Sequence, residues 1–289
     1  MSVIIPARNG AATLPEQLDA LRRQVHDGPW ELLLADNGST DATIAVFERA
    51  VSPTGADDET VPWVDASVVD ASSRPGSAHA RNVGGAAARG DLLCFCDADD
   101  VVEQGWLAAL IAAVADHHLV GGRLETATLN SDRVRSWRPA PSASVAETPT
   151  FAPTSNLAIW ADCFDALGGL DETFLKSHDV ELSKRARAAG ASLGFAPDAV
   201  VRYRLRSTLR GLARQSYRSG RATVQMATHF PDREPPVEAS AVGHRLAWSA
   251  TRLAYLALAD RRGLWVRRSA EGAGMGVALA RRAITRRSR

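Results

Sequence analysis

From residue 2 to about residue 130, short apolar runs of strand length alternate with stretches in which apolar residues return every three or four positions. The first pattern suits strands buried on both faces and the second suits helices with one apolar stripe. Their alternation predicts βα units laid on a mainly parallel sheet. Strands are expected at 2–5, 31–35, 67–69 and 91–96. Between them Leu14, Leu18, Leu21 and Val25 keep a helical period, as do Ile44, Phe47 and Val51, and Trp106, Leu110 and Val114.

The pattern lapses over residues 130–150, NSDRVRSWRPAPSASVAETPT, where scattered prolines and serines predict a loop, either disordered or a flap over a site. Beyond it, SNLAIW reads as a strand, ADCFDALGG as a short helix ended by glycines, and DVELSKRARAAG as a helix stopped by Gly190. ASLGFAPDAVVRYR predicts two short strands, and from residue 207 the chain is helical and rich in arginine. There is no internal repeat.

Composition narrows the class. A chain of 289 residues has room for one large α/β domain and an appendage, and 45% hydrophobic with 23% charged residues excludes a disordered or multi-span membrane protein. Cys94, Cys96 and Cys163 are an odd count, two of them in an apolar run, so core packing in a reducing, cytoplasmic compartment is expected rather than a disulfide or zinc framework. MSVIIP enters a strand directly, so no signal peptide is expected. The apolar stretch LAWSATRLAYLALA (246–259) contains Arg252 and falls short of the roughly 20 residues a spanning helix needs.

The net charge of +1 hides an asymmetry: residues 1–200 carry 15 Lys/Arg against 28 Asp/Glu, a net of −13, whereas 201–289 carry 19 against 5, a net of +14. A basic block of this kind points to an anionic partner or to neutralisation of the acidic part.

Three polar motifs follow apolar runs: PARNG (6–10), DNGSTD (36–41) and the aspartates of DADD (97–100). In open α/β sheets ligands bind at the carboxyl ends of parallel strands, so the three would share one rim. DADD reads in two ways. Aspartate caps a helix that begins near Gln104, or Asp99 meets a divalent ion that bridges two phosphates.

SVIIPARNGAATL, ELLLADNGSTDAT, GSAHARNVGGAAARGDLLCFCDADD, SNLAIW and SHDVEL stand in the order and rough spacing of the inverting family-2 glycosyltransferases, which the chain resembles over about residues 2–205. The resemblance implies a Rossmann-like α/β fold of the glycosyltransferase A type over 1–205, with a nucleotide-sugar half at about 1–125 and an acceptor half at about 126–205. Residues 206–289 would then be a basic helical extension. It also implies transfer of a sugar, with inversion, from a nucleotide diphosphate sugar to an acceptor hydroxyl, in polysaccharide or glycolipid synthesis. The donor would be UDP-linked, the acceptor a carbohydrate or a lipid-linked molecule, and the cofactor Mg²⁺ or Mn²⁺.

Carried over residue by residue, Pro6, Arg8 and Asn9 would line the nucleotide pocket and Asp36 would bond the base. Arg81 and Asn82 would lie beside the nucleotide, Asp97 at the ribose and Asp99 on the metal. The catalytic base would be Asp179, with Glu181 as the alternative. The family's Glu-Asp pair is His178-Asp179 here, and Tyr203 stands where many relatives have a metal-binding histidine.

Other readings fit less of the chain. A sugar-phosphate nucleotidyltransferase would want a glycine-rich basic loop after the first strand, and PARNGA has one glycine and no lysine. A DxD phosphatase would carry its motif after the first strand, and a dinucleotide dehydrogenase would need G-x-G-x-x-G. A transferase-like protein without catalysis, docked on membranes by its basic tail, is the alternative from a different class. No nucleic-acid partner is expected.

In the tail, Arg210, Arg214, Arg218 and Arg221 recur at three- and four-residue spacing, beside Leu209, Leu212, Ala213 and Tyr217. This face would either pack on the acidic domain or attach peripherally to anionic lipid at the inner face of the plasma membrane, helped by 246–259 and RRAITRRSR.

Overall fold

The structure is a computed structural model, and it describes residues 1–26, 28–52, 61–138 and 150–287. Among these, eight strands form one sheet: β1 Ser2–Ala7, β2 Glu31–Asp36, β3 Asp65–Asp70, β4 Leu92–Cys96, β5 Val101–Val102, β6 Leu119–Glu125, β7 Asn156–Trp160 and β8 Leu193–Arg202. Their order is β3-β2-β1-β4-β7-β6-β8-β5. β3, β2, β1 and β4 are mutually parallel, as the alternating pattern predicts, and β6 is parallel to β8. β7 enters antiparallel between β4 and β6, and β5 is antiparallel to β8.

The described residues also form ten α-helices: α1 Leu14–Arg22, α2 Thr43–Val51, α3 Ser77–Ala87, α4 Trp106–Val114, α5 Asp132–Ser136, α6 Ala161–Ala166, α7 His178–Ala188, α8 Leu209–His229, α9 Ala239–Thr251 and α10 Ala259–Arg287. One face of the sheet packs Ile4, Leu33, Phe95, Leu157 and Ile159 against Phe164 of α6 and Leu182 of α7. By strand alternation Val3, Ile5, Leu32 and Leu34 turn the other way, where Leu14, Leu18 and Leu21 of α1 and Leu107 and Leu110 of α4 are fully buried. Cys94 and Cys96 sit inside β4 as free thiols, and burial pushes the Cys94 thiol up to about 12.

The structure departs from the sequence pattern in several places, among them the short strand β5, which no apolar run of strand length announces. β6 is unannounced, because the glycines of LVGGRLE belong to a residue type depleted from strands. The stretch 191–204 is one strand rather than two: its pairing with β6 jumps from Ala196 to Val200 at Gly122/Arg123. That irregularity admits Pro197, which can give no ladder hydrogen bond. The helical period expected to reach Val25 stops at Arg22, and Val25 is exposed. The expected loop 130–150 begins with α5, whose cap Ser131 accepts from the Val134 amide, and residues 139–149 lie outside the described residues.

The described residues divide into two compact units. One holds Met1–Thr128, Pro141–Thr173 and His178–Arg204, and the other holds Leu129–Ala140, Phe174–Ser177 and Leu205–Arg289. In the second unit α8 and α10 cross at glycine. A Cβ at Gly220 would strike the Glu271 carbonyl, and one at Gly274 would strike the Tyr217 carbonyl. A small core of Val224, Val242 and Met275 joins α8, α9 and α10. The Thr208 hydroxyl caps α8 by accepting from the Gly211 amide at 3.1 Å. Arg210, Arg214 and Arg218 are exposed along α8, Arg221 is half-buried, and Leu212 is buried.

In the first unit Gly84 lets α3 lie close on the sheet, because a Cβ there would come 2.6 Å from Ile4 Cγ2 and 3.2 Å from Ala35 Cβ. Gly84→Val is therefore expected to lower stability by about 1–3 kcal/mol through overpacking. Gly243 of α9 has nothing within 4 Å of its would-be Cβ. Gly243→Ala is expected to raise stability by about 0.5–1 kcal/mol through helix propensity. Urea midpoints of the two variants measure both effects.

Candidate active site

The three rim motifs converge as the parallel strand order requires. After β1 the chain turns through Asn9 with φ 56°, a left-handed conformation that asparagine tolerates better than most residues. Asn9 Oδ1 accepts from the Thr40 amide at 2.7 Å and hydroxyl at 3.3 Å, and the Asn9 amide donates to Ser39 Oγ at 2.9 Å. The Gly10 amide donates to Thr43 Oγ1 at 2.8 Å and the Ala11 amide to Asp41 Oδ2 at 3.1 Å. The loops after β1 and β2 are thus one stitched surface. Pro6 is half-buried at the end of β1, and Arg8 is exposed beyond it.

Asp36 closes β2. Its Oδ2 accepts from the Gly38 amide at 3.2 Å and the Ser39 amide at 3.0 Å, while Oδ1 is buried with no hydrogen-bond partner among the described residues. An acceptor so placed is suited to a donor from a ligand, since a buried unmatched acceptor is costly. Its neighbour Asn37 donates to the carbonyls of Ala71 at 2.6 Å and Arg74 at 2.8 Å, and accepts from the Gly76 amide at 2.8 Å. This fixes the loop that leads into α3.

At the end of β4, Asp97, Asp99 and Asp100 each offer a carboxylate oxygen, all within 4.8 Å of one another. An oxygen-only set of this kind fits a hard cation such as Mg²⁺ or Mn²⁺. The three carboxylates are not equivalent. Asp100 is buried and accepts from the Arg204 amide at 2.7 Å, and the Asp99 carbonyl accepts from Arg204 Nε at 2.8 Å. The end of β8, with Tyr203 one residue earlier, is thereby tied to the acidic turn. Gln17, fully buried on α1, donates to the Asp97 carbonyl at 3.2 Å and accepts from the Val102 amide at 2.9 Å, gripping the turn from both sides.

Asp97 is ion-paired with Arg81, whose side chain is 3% exposed. Arg81 also donates to the Ser77 carbonyl at 3.2 Å and approaches His178 Nε2 at 3.5 Å, and that same nitrogen lies 3.2 Å from Thr154 Oγ1. Arginine has only donors, so His178 Nε2 is the acceptor in the Arg81 contact. Residues 81, 97, 154 and 178, distant in sequence, form one connected group. It brings the acidic turn to the start of α7, where Asp179 is half-buried with Oδ1 accepting from the Val180 amide at 3.0 Å. The chain enters α7 through Ser177 at φ 66°.

Glu181, the alternative base, is in a different state. It is fully buried, with Oε1 2.5 Å from Arg185 Nε and Oε2 2.7 Å from Nη2, and Arg185 also donates to the Gly169 carbonyl at 2.8 Å. Asn82 likewise has its amide engaged. It donates to the Leu170 carbonyl at 2.9 Å and to Glu172 Oε1 at 3.0 Å, and accepts from the Leu170 amide at 2.8 Å. Burial acts to raise the Glu172 carboxyl, but hydrogen bonds from His79, Asn82 and Arg74 prevail and hold it below its ordinary value.

Sequence reasoning missed Gln17, Asn37, Thr154, Glu172 and Arg204. Gln17 left a signal as a polar residue on the stripe of Leu14, Leu18 and Leu21, and Asn37 one as a member of the DNGSTD motif. The others act through pairings that the fold creates.

The Glycosyl transferase family 2 model matches residues 2–159. The chain is 29% identical over 262 residues to the pre-mycofactocin glycosyltransferase of Mycobacterium tuberculosis, a match that covers 86% of this chain and 52% of that protein. The chain thus spans about half the length of that curated relative. It is 28% identical over 233 residues to glycosyltransferase AglE of Haloferax volcanii, covering 78% of this chain and 73% of that one. Among solved structures, the mannosyltransferase PcManGT from Pyrobaculum calidifontis in complex with GDP-Man and Mn²⁺ has a TM-score of 0.67 at 20% identity, over 96% of this chain and 86% of its own. S. aureus TarS 1-349 in complex with UDP-GlcNAc has a TM-score of 0.54 at 13% identity, over 98% and 91%. The fold they share with this chain is the glycosyltransferase A fold, a mixed α/β sheet here followed by a helical C-terminal region.

Two measurements follow from the geometry. Glu181→Gln breaks a buried, two-point pairing with Arg185 and is expected to cost about 3 kcal/mol of stability by urea denaturation, whereas Asp179→Asn costs less than about 1 kcal/mol. Glu172 is held below its ordinary value of 4.5, so its stabilising contribution is complete above that value and disappears as pH falls through its lower folded-state value. Glu172→Gln is therefore expected to flatten the acid limb of a stability–pH profile below the ordinary value of 4.5, and to leave its shape near neutrality unchanged.

Proposed function

Because the chain belongs to glycosyltransferase family 2, we propose that it moves a sugar from a nucleotide diphosphate sugar to an acceptor hydroxyl, with inversion at the anomeric carbon. The observation that carries this reading is the connection Asp97–Arg81–His178, which holds the acidic turn after β4 and the first turn of α7 in one assembly. The turn would receive the diphosphate, and Asp179 would face the acceptor.

In the reaction so proposed, the acceptor oxygen forms a bond to the anomeric carbon as the bond from that carbon to the diphosphate oxygen breaks. The diphosphate leaves with the electron pair, and the hydroxyl proton passes to the Asp179 carboxylate. Asp179 suits that role because it is half-buried, while Glu181 is held by Arg185. Asp99 would hold Mg²⁺ or Mn²⁺, with Asp97 at the ribose, and when bound the cation offsets charge on the departing diphosphate. Pro6, Arg8 and the Asn9 loop would border the nucleotide, and Asp36 Oδ1 would accept from its base. We take that base as uracil; guanine is the alternative, since PcManGT was solved with GDP-Man.

The acceptor is proposed to be a carbohydrate or a lipid-linked molecule. Attachment to an anionic membrane surface belongs to the same reading. Among the described residues no helix is long and apolar enough to cross a membrane, so attachment through them would be peripheral.

Calorimetry of UDP and GDP binding with and without Mn²⁺, beside release of nucleoside diphosphate from the donor, tests the proposal. Asp99→Ala is expected to abolish Mn²⁺-dependent binding while the protein stays folded. Asp179→Asn is expected to keep donor affinity and lose turnover by at least about 100-fold. Unchanged Mn²⁺ dependence in Asp99→Ala would sink the cation assignment, and an active Asp179→Asn the base.

A further inference from the structure

The helical unit gathers exposed apolar and cationic side chains at the turn between α9 and α10. From 250 to 259 every residue but Tyr255 is exposed. Leu253 is 58% exposed, Leu256 38% and Leu258 49%. Leu253–Leu256 is a 3-10 helix, in which side chains three apart eclipse, so two of these leucines share an edge.

Arginines and aromatic rings flank the leucines. The guanidinium groups of Arg252 and Arg268 lie 5.3 Å and 4.7 Å from the Trp248 ring centroid, and that of Arg261 lies 5.1 Å from Tyr255. Trp248 and Tyr255 meet edge to face at 5.9 Å. A cavity of about 420 Å³ in the same unit is lined by His244, Arg245, Trp248, Arg267, Arg268 and Glu271. Glu271 is its one acid, 3.0 Å from Arg245 and 3.9 Å from Arg267. Burial holds the Arg267 guanidinium below its ordinary value, with Glu271 opposing and Arg268, Arg138 and Arg245 adding to the depression. Positive charge therefore exceeds its counter-charge here.

We propose that the turn joining α9 and α10 is a docking edge for an anionic lipid bilayer, with Leu253, Leu256 and Leu258 entering the interface and the surrounding arginines meeting lipid phosphates. This rests on the peripheral attachment suggested above and is independent of the transfer chemistry. A bilayer matches both halves of the surface, because its phosphates lie directly above its apolar layer, and tryptophan and tyrosine favour that boundary. The surface differs from the arginine row of α8, where no large apolar side chain is exposed among the described residues. Interfacial helices need an apolar face to enter lipid.

The test is co-sedimentation of the full chain with phosphatidylcholine vesicles, alone or mixed with phosphatidylglycerol, across a salt series. The wild type is expected to bind the mixed vesicles and be released by salt. Leu253→Ser/Leu256→Ser/Leu258→Ser is expected to bind at least about tenfold more weakly. Arg210→Gln/Arg214→Gln/Arg218→Gln on α8 is expected to keep within about threefold of wild-type binding. Circular dichroism and nucleotide calorimetry on each variant confirm that the fold and donor binding are intact, which separates failure here from failure of the transferase reading. Three outcomes would overturn the proposal: wild-type binding to neither vesicle type, wild-type-like binding by the leucine variant, or leucine-dependent self-association without lipid, which would assign the surface to a second copy of the chain.

Discussion

The Arg81 side chain is nearly sealed from water, so the chain around it must answer its guanidinium group. Asp97 does so directly, the Ser77 carbonyl accepts from it and His178 Nε2 lies 3.5 Å away, while Arg81 Nε is buried with no hydrogen-bond partner among the described residues. A buried pair like this one adds little net stability compared with apolar packing, yet losing either partner strands a charge. Its effect is therefore positional. It sets the end of β4 against α3 and against the entry to α7, the three places from which the proposed chemistry would draw its groups.

The rest of the first unit brings that pair into reach. Gly84 lets α3 lie close enough to β1 and β2 for Arg81, nearly one turn earlier, to meet the strand ends. β7 runs antiparallel beside β4, and Asn156 at its start is fully buried, accepting from Trp106 Nε1 at 2.8 Å and donating to the Ala199 carbonyl at 2.7 Å. That amide spans the place where β8 slips its register. The Ala152 amide donates to Ser183 Oγ at 3.0 Å, and Ser183 Oγ in turn donates to the Asp179 carbonyl at 2.8 Å. The segment carrying Thr154 and the helix carrying Asp179 are thus held together.

What could be read from the sequence was whatever depends on period and on short motifs. Buried strands β1, β2 and β4 are continuous apolar runs, and the polar groups that follow them stand out because nothing in a strand core requires them. β6 was hidden by its two glycines, and the unity of β8 by a proline that only its irregular pairing with β6 admits. The site divides in the same way. Asp36, Arg81, Asp97 and Asp99 announce themselves within motifs, but the state of each carboxylate does not. Asp179 and Glu181 are two residues apart and equally acidic on paper. Arg185, one helical turn after Glu181 on α7, pairs with that carboxylate, and the packing of the fold buries the pair while leaving Asp179 half-exposed.

The paired thiols of β4 have a consequence for how the molecule opens. Cys94 and Cys96 lie in a strand bordered by β1 and β7, and burial keeps both in the protonated, unreactive form. Cys163, within α6, is only half-buried. A thiol reagent therefore meets one partly accessible cysteine in the native state, whose thiol burial also pushes up, and reaches the other two only when the middle of the sheet comes apart. The kinetics of that second labelling phase separate breathing of the outer helices from cooperative unfolding of the sheet, the distinction that local and global opening free energies express.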